Sequence, residues 1–340
     1  MSNIREVAKA AGVSTATVSR VINHDTEGRM TEETKERVWA AIAELNYKAP
    51  AKNIKKKSKS LRQQSEGTHF KIGCIISTDK DKYSDPYYLS ILASIESEAA
   101  RNGYTVPFIA TSKEIEECKA LDSFFPALDG IILMNTLSPD IYSYIKRNIP
   151  AIVGIDTSHR DIDNIIYDHY EAASLAVSTL AERGYKDIGF LGASPQDSTL
   201  EDSKRFRGFL GEMNSRGLTV KKETCINCHW NEDECYAGIK KLHKKKALPR
   251  AFVVSSDLMA MAVLRSLYDF NIKVPEEVAV MGITNIEMAR FSNPPLSTIS
   301  VPMTEMGMVA VDALKERMNG YKMLPRKISL PLEVILRSSI

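Results

Sequence analysis

The sequence predicts an α/β chain in two parts: an N-terminal three-helix domain with a helix-turn-helix, then a large body of two doubly wound parallel-sheet subdomains. Three observations predict it. Three helical patterns crowd into the first 48 residues, apolar runs alternate with amphipathic stretches from Phe70 onward, and the two parts differ in charge. Residues 1–65 hold thirteen Lys and Arg against seven Asp and Glu, a net +6 in a chain of net +2, which leaves −4 for the remainder. A basic head on a mildly acidic body is the pattern of a polyanion-binding module joined to something else. At 340 residues the chain exceeds the ~250–300 that one core serves, so more than one domain is expected.

The head comes first. Ile4, Val7, Ala8 and Ala11 recur at one-face helical spacing, and Gly12 ends that helix in a tight corner. Ser14 is a natural N-cap for the second helix, with Val13 and Val18 at the positions of a hydrophobic staple. Val18, Val21 and Ile22 form its buried side. The third helix begins near Thr31, carries Glu32 and Glu33 at its positive end, and buries Val38, Ile42 and Leu45. Helix, glycine corner and second helix make an arrangement whose second helix enters the major groove of duplex DNA. Its exposed side is Thr15, Ala16, Ser19 and Arg20. Small residues let the backbone approach base edges, and the Arg20 guanidinium matches guanine O6 and N7. The hydroxyls of Ser14 and Thr17 and the amide of Asn23 suit phosphate oxygens.

These residues carry a resemblance. "IREVAKAAGVSTATVSRVIN" followed by "TEETKERVWAAIAELNY", nearly all of Ile4–Tyr47, is similar to the DNA-binding domain of LacI/GalR-type bacterial transcription regulators. The resemblance implies that Thr15, Ala16 and Arg20 read bases in a palindromic operator and that the chain acts as a homodimer, a tetramer remaining open. One departure stands in residues 49–69, the basic hinge. Where the family's minor-groove wedge leucine would fall there is Lys56, flanked by Lys55 and Lys57, and Leu61 lies too far along. The lysines are read either as a solvated linker or as phosphate contacts that steepen the salt dependence of binding.

In the body, "FKIGCIIS", "TVPFIA", "GIILMN", "AIVGID", "DIGFLGA", "AFVVSS" and "VAVMGIT" read as strands, with helices such as Leu89–Arg101, Tyr170–Arg183 and Leu258–Phe270 between them. Apolar strands separated by crossover helices mean parallel sheets covered on both faces, with ligands bound beyond the carboxyl ends of the strands. Nearly all of Phe70–Arg337, within an effector domain placed at 70–340, resembles the family's effector domain, related to periplasmic sugar-binding proteins, in "HYEAASLAVSTLAERGYKDIGFLGA", "FVVSSDLMAMAVLRSLYDFNIKVPEEVAVMGITN" and "NPPLSTISVPMTEMG". That implies three crossings near Ser158, Ser292 and Gly320, an N-subdomain of 70–158 with 293–320, and a C-subdomain of 159–292 with 321–340. By position, the resemblance implies an effector cleft of Asp85, Tyr87, Asp156, Arg205, Trp230, Ser256, Thr284 and Asn285. Asp156 and Arg205 would clamp sugar hydroxyls, and Trp230 would stack on a pyranose face. Ser256 stands where other members often have Asn, and Thr284 where many have an acid. The first body helix, with Ile91, Leu92 and Ile95, is expected to serve a dimer contact or the core.

Several classes are set aside. No run of about 18 apolar residues suggests a membrane span, and the N-terminus lacks an export signal, so a cytoplasmic location is expected. Cys225 and Cys228 with His229 match haem-attachment spacing and Cys235 follows, but that chemistry belongs outside the cytoplasm; reduced thiols with no metal and no cofactor are expected. No dinucleotide, phosphate-loop, nucleophile-elbow or zinc-protease motif occurs, so an enzyme is not expected. The reading is a sugar-responsive repressor released from DNA by a galactoside or galacto-oligosaccharide. The alternatives are a sugar-binding transport component, or a regulator using another sugar or a purine corepressor.

Overall fold

The computed structural model describes residues 4–22, 31–45, 70–78, 83–118, 121–194 and 199–340, and divides the chain into units of residues 1–68 and 69–340. In the first unit, α1 (Ile4–Ala11), α2 (Thr15–Ile22) and α3 (Glu32–Glu44) pack pairwise. Their core is Val7, Ala8, Ala11, Val18, Val21, Val38 and Ala41, with Val13, Ile42 and Leu45 against it. Gly12 makes the corner at φ +65°, a left-handed conformation that glycine alone adopts without strain. Ser14 caps α2 as expected: its Oγ accepts from the Thr17 amide at 3.0 Å.

The second unit runs β1 (Lys71–Ile76), α4 (Pro86–Arg101), β2 (Thr105–Thr111), α5 (Ser112–Glu116), α6 (Leu121–Phe124), β3 (Gly130–Met134), α7 (Pro139–Asn148), β4 (Ala151–Ile155) and β5 (Asp163–Ile166). It continues through α8 (His169–Glu182), β6 (Ile188–Gly192), α9 (Lys204–Ser215), β7 (Cys225–Asn227), α10 (Glu232–Lys244), β8 (Ala251–Val254), α11 (Asp257–Asp269) and β9 (Ala279–Thr284). β10 (Ser297–Ser300), α12 (Met303–Met318), β11 (Lys327–Ser329) and β12 (Glu333–Ile335) complete it. One sheet has the order β11-β5-β4-β3-β1-β2, all parallel, and the other β12-β10-β9-β8-β6-β7, parallel except for β12 against β10. This is the expected pair of doubly wound sheets.

The strands move the crossings. The chain leaves the first sheet between Ile166 and His169, returns between Ser300 and Met303, and leaves again between Ser329 and Glu333. Each lies some way beyond the expected positions at Ser158, Ser292 and Gly320, so the subdomain boundaries shift with them. The cause is local. β5, β10 and β11 are three or four residues long, "DNII", "STIS" and "KIS", too short and polar to register as apolar runs. After β5, α8 packs on β8, β9 and β10; after β10, α12 returns to β3, β4, β5 and α4.

Ile91, Leu92 and Ile95 are buried in the core of this unit, where α4 meets α12, so they are core residues rather than a dimer surface. α8 and α9 approach so closely that a Cβ on Gly208 would lie 2.1 Å from the Tyr170 carbonyl oxygen. Backbone cannot retreat as a flexible side chain does. Gly208→Ala is therefore expected to cost about 1–3 kcal/mol, read as a lowered urea midpoint; a variant as stable as wild type would contradict this packing.

Candidate functional site

Two surfaces present the chemistry, one in each unit. In the first, Thr15 and Ser14 are exposed, Thr17 is half-buried, and Val18 and Val21 are buried; the side chains of Ala16, Ser19 and Arg20 lie outside the described ones. The Ser14 and Thr17 hydroxyls lie 2.9 Å apart at the start of the helix. Asn23, Lys55, Lys56 and the rest of the hinge at 49–69 lie outside the described residues.

In the second unit, residues at the carboxyl ends of strands converge. Asp156 follows β4 with φ +54°, a conformation Asp tolerates, and its amide donates to the Ile165 carbonyl at 2.9 Å. Tyr87, in the first turn of α4, donates its hydroxyl to Asp156 Oδ2 at 3.1 Å, and His169 Nε2 lies 3.2 Å from Oδ1. Tyr167, fully buried after β5, packs its ring against His169 at 4.1 Å and accepts a hydrogen bond from Arg205 Nη2. Arg205 stands in the first turn of α9, where Ser203 caps the helix, so its guanidinium is carried to the same end as the strand termini. It lies over the Trp230 ring at 5.3 Å and the Tyr167 ring at 5.8 Å, while its buried Nε has no partner. Tyr88 stands edge-on to Tyr87 and accepts from Asn135, which follows β3 at φ +65°.

The structure thus brings Tyr87, Asp156, Arg205 and Trp230 together. The other expected residues have these partners. Asp85 caps α4 by accepting from the Tyr87 amide at 2.9 Å, and Ser256 caps α11 by accepting from the Met259 amide at 3.2 Å. Thr284 is buried, only 4% exposed, at the end of β9. Asn285 donates to Ser300 Oγ at 3.1 Å and accepts from Arg337 Nη2 at 2.8 Å, at the edge of a cavity of about 480 Å³ lined also by Ser90, Arg290, Met303 and Thr304. Tyr88, Asn135, Tyr167 and His169 stand beside them, neighbours that the sequence reading did not single out. Tyr167 and His169 follow β5, which carries no apolar run, whereas Asn135 ends the apolar run "GIILMN".

Left-handed backbone gathers at these strand ends: Asn135, Asp156, His229, Trp230 and Asn285 all have φ between +45° and +65°. For Trp230 and His229 that conformation is unfavourable by about 1–3 kcal/mol each, and such strain persists where surrounding structure holds a functional loop. The electrostatics suit hydrogen bonding without proton transfer. Burial pushes the Tyr87, Tyr88 and Tyr167 phenols up, Tyr167 to about 12, so all three remain donors. Burial, and then the Arg205 charge, lowers the His169 pKa and keeps its imidazole neutral near pH 7.

Asp257 anchors the loop that carries Asn285, accepting from Thr298 Oγ1 at 2.6 Å and the Ile286 amide at 3.0 Å. Burial pushes its carboxyl up to about 6 from an ordinary 3.8, against the pull of those bonds. Between these values the native chain binds more protons than the unfolded one, so the stability this group contributes falls as pH rises from about 4 to about 6. The unfolding free energy of wild type relative to Asp257→Asn is expected to fall across that window, read from urea melts. Parallel curves would contradict the buried carboxyl.

Among the described residues no helix is long and apolar enough to cross a membrane, and no group of three His, Cys, Asp or Glu is placed to hold a metal. Cys228 and Cys235 lie in the core of the second sheet.

A helix-turn-helix unit joined to a two-sheet body with convergent strand-end side chains defines a ligand-sensing transcription regulator. Comparison with known proteins agrees. Residues 3–49 match the model of "Bacterial regulatory proteins, lacI family", and residues 177–340 match a periplasmic binding protein-like domain. The HTH-type transcriptional repressor MelR of Bacillus subtilis is 30% identical over 345 residues, covering 100% of this chain and 97% of that protein. The HTH-type transcriptional repressor PurR of Pasteurella multocida is 31% identical over 349 residues, covering 100% and 99%. Among solved structures, a transcriptional regulator CelR–cellobiose complex superimposes with a TM-score of 0.67 at 22% identity, covering 100% of both chains. The lac repressor dimer bound to operator and the anti-inducer ONPF gives 0.66 at 23%, covering 99% and 98%; both show the same fold. The chain belongs to the lacI family of bacterial regulatory proteins. It is a transcription regulator and not an enzyme, and the transport reading is set aside with the helix-turn-helix match.

Proposed function

We propose that this chain is a homodimeric cytoplasmic repressor that holds a palindromic operator through α2 and releases it when a small sugar, a galactoside or galacto-oligosaccharide, occupies the cleft between its two sheets. Thr15, Ala16, Ser19 and Arg20 read bases, and Ser14, Thr17, Asn23, Lys55 and Lys56 engage phosphates. One observation carries the effector half. Arg205 is held between Tyr167 and the 38%-exposed Trp230, with its Nε buried and unpaired, beside an Asp156 already oriented by two neighbours. A buried guanidinium N–H without an acceptor favours a ligand that brings an oxygen, and an indole beside it favours one with an apolar ring face. Closure of the two sheets on that ligand biases the dimer away from its operator-binding state, and the coupling is reciprocal, typically about 1–3 kcal/mol.

A second reading is favoured by the same aromatic set: Tyr167 and Trp230 flanking Arg205 also suit a planar purine, and such a ligand would act as corepressor. One experiment separates them. A melting screen of mono- and disaccharides and purine bases, followed by operator titration with each hit, is expected to single out a saccharide that raises the melting temperature and weakens operator binding. A purine that strengthens operator binding would replace the sugar reading, and no hit in either class would remove the cleft assignment.

A further inference from the structure

We infer that His169 is a positioning residue of the effector site, one that holds the Asp156 carboxylate in a fixed orientation so that it receives a pair of ligand hydroxyls. The inference rests on the effector reading above and deepens it. A carboxylate has about four lone-pair directions. In Asp156 one oxygen takes the Tyr87 hydroxyl at 3.1 Å and the other faces His169 Nε2 at 3.2 Å. About two directions are left, one on each oxygen, which is the pattern that accepts two neighbouring hydroxyls of one ring.

The fold determines which partner His169 is. It opens α8, whose N-cap Asp168 accepts from the Tyr170 and Glu171 amides at 2.8 and 3.2 Å, so the helix start is fixed. Its ring is packed against Tyr167 at 4.1 Å and its side chain is only 20% exposed. The groups facing it are Asp156, Tyr167, Arg205 and Lys204; burial, and then the Arg205 and Lys204 charges, lower its pKa against the pull of Asp156 and keep it neutral. A neutral imidazole has one N–H, and a carboxylate only accepts; the proton therefore sits on Nε2. Tyr87 comes from α4, His169 from the chain leaving the first sheet. The two that orient Asp156 thus sit on different elements.

Two arms test this in the full-length chain. In ligand-free protein with labelled histidine, long-range ¹H–¹⁵N spectra are expected to show His169 as the neutral Nε2–H tautomer, and Asp156→Asn is expected to shift that signal. A Nδ1–H tautomer, or a signal indifferent to Asp156→Asn, overturns the inference without any ligand. In the second arm, the probe is the saccharide giving the largest melting shift. His169→Ala is expected to weaken it about tenfold, while His169→Gln, whose amide restores a donor without a titrating ring, stays within about threefold of wild type. Equal losses in both variants, or no loss in His169→Ala while Arg205→Ala abolishes binding, overturn the positioning role alone. Wild-type affinity in Arg205→Ala removes the effector reading itself.

Discussion

Arg205→Ala is expected to weaken effector binding at least about 100-fold while leaving operator affinity without effector close to wild type. The side chain does three things at once: it donates to the buried Tyr167 hydroxyl, lies over the Trp230 ring, and keeps a buried Nε without a partner. Hydrogen bonds to a charged group contribute about 1.5–3 kcal/mol each, so the lost Nε donor, together with the Trp230 ring that Arg205 no longer supports, reaches the roughly 2.7 kcal/mol of a 100-fold change. Arg205→Lys keeps the charge but not the fork, and an intermediate loss of about tenfold is expected. Isothermal titration of both variants decides it. A loss under threefold in Arg205→Ala would place the ligand elsewhere, the Asn285 cavity being the first alternative.

The second large effect is on stability. Asp163, at the start of β5, has no exposed surface, and its carboxylate accepts from Arg317 Nε and Nη2 at 2.8 and 2.7 Å and from the Arg326 amide and Nη2 at 2.6 and 2.9 Å. Three segments meet there: β5, the end of α12 and the approach to β11. Burial would raise the carboxyl, but the bonds from both arginines outweigh it and hold it well below the usual carboxylate range. A depressed folded pKa means stability present above about 4 and lost as pH falls below it. Asp163→Ala leaves the partly buried Arg317 and Arg326 guanidinium groups side by side with Glu316 as their remaining carboxylate, and a cost of about 3 kcal/mol is expected in urea unfolding at pH 7. A loss below 1 kcal/mol would mean that the arginines turn to solvent freely and the triad holds nothing together.

Legibility in the sequence followed length and apolarity. Seven apolar runs in the body became strands β1, β2, β3, β4, β6, β8 and β9, and α1, α2 and α3 were legible from the spacing of Val7, Val18 and Val38. What escaped were segments whose identity comes from pairing rather than pattern. Asp163–Ile166 is a strand because its neighbours β4 and β11 supply hydrogen bonds on both sides, which no window along the chain displays. Missing it displaced the first crossing and hid Tyr167 and His169, which owe their place to it. In the site, Asp156 and Arg205 were marked by the family resemblance, while Asp85 and Ser256 were better explained by the helix-capping chemistry of their own side chains. Asn285 was expected in the cleft, but its partners Ser300 and Arg337 lie 15 and 52 residues away in sequence.

The central claim is that one chain joins a base-reading helix to a body that senses a metabolite. The most direct test is fluorescence anisotropy of the full-length chain on a labelled duplex taken from upstream of its own gene, titrated at several salt concentrations against random competitor DNA, with and without the screened saccharide. Tight, steeply salt-dependent binding is expected by a dimer that prefers the native duplex, loses that preference in Arg20→Ala, and is released by the saccharide. Binding no tighter than to random duplex, or a complex unchanged by every saccharide and purine in the screen, would contradict it.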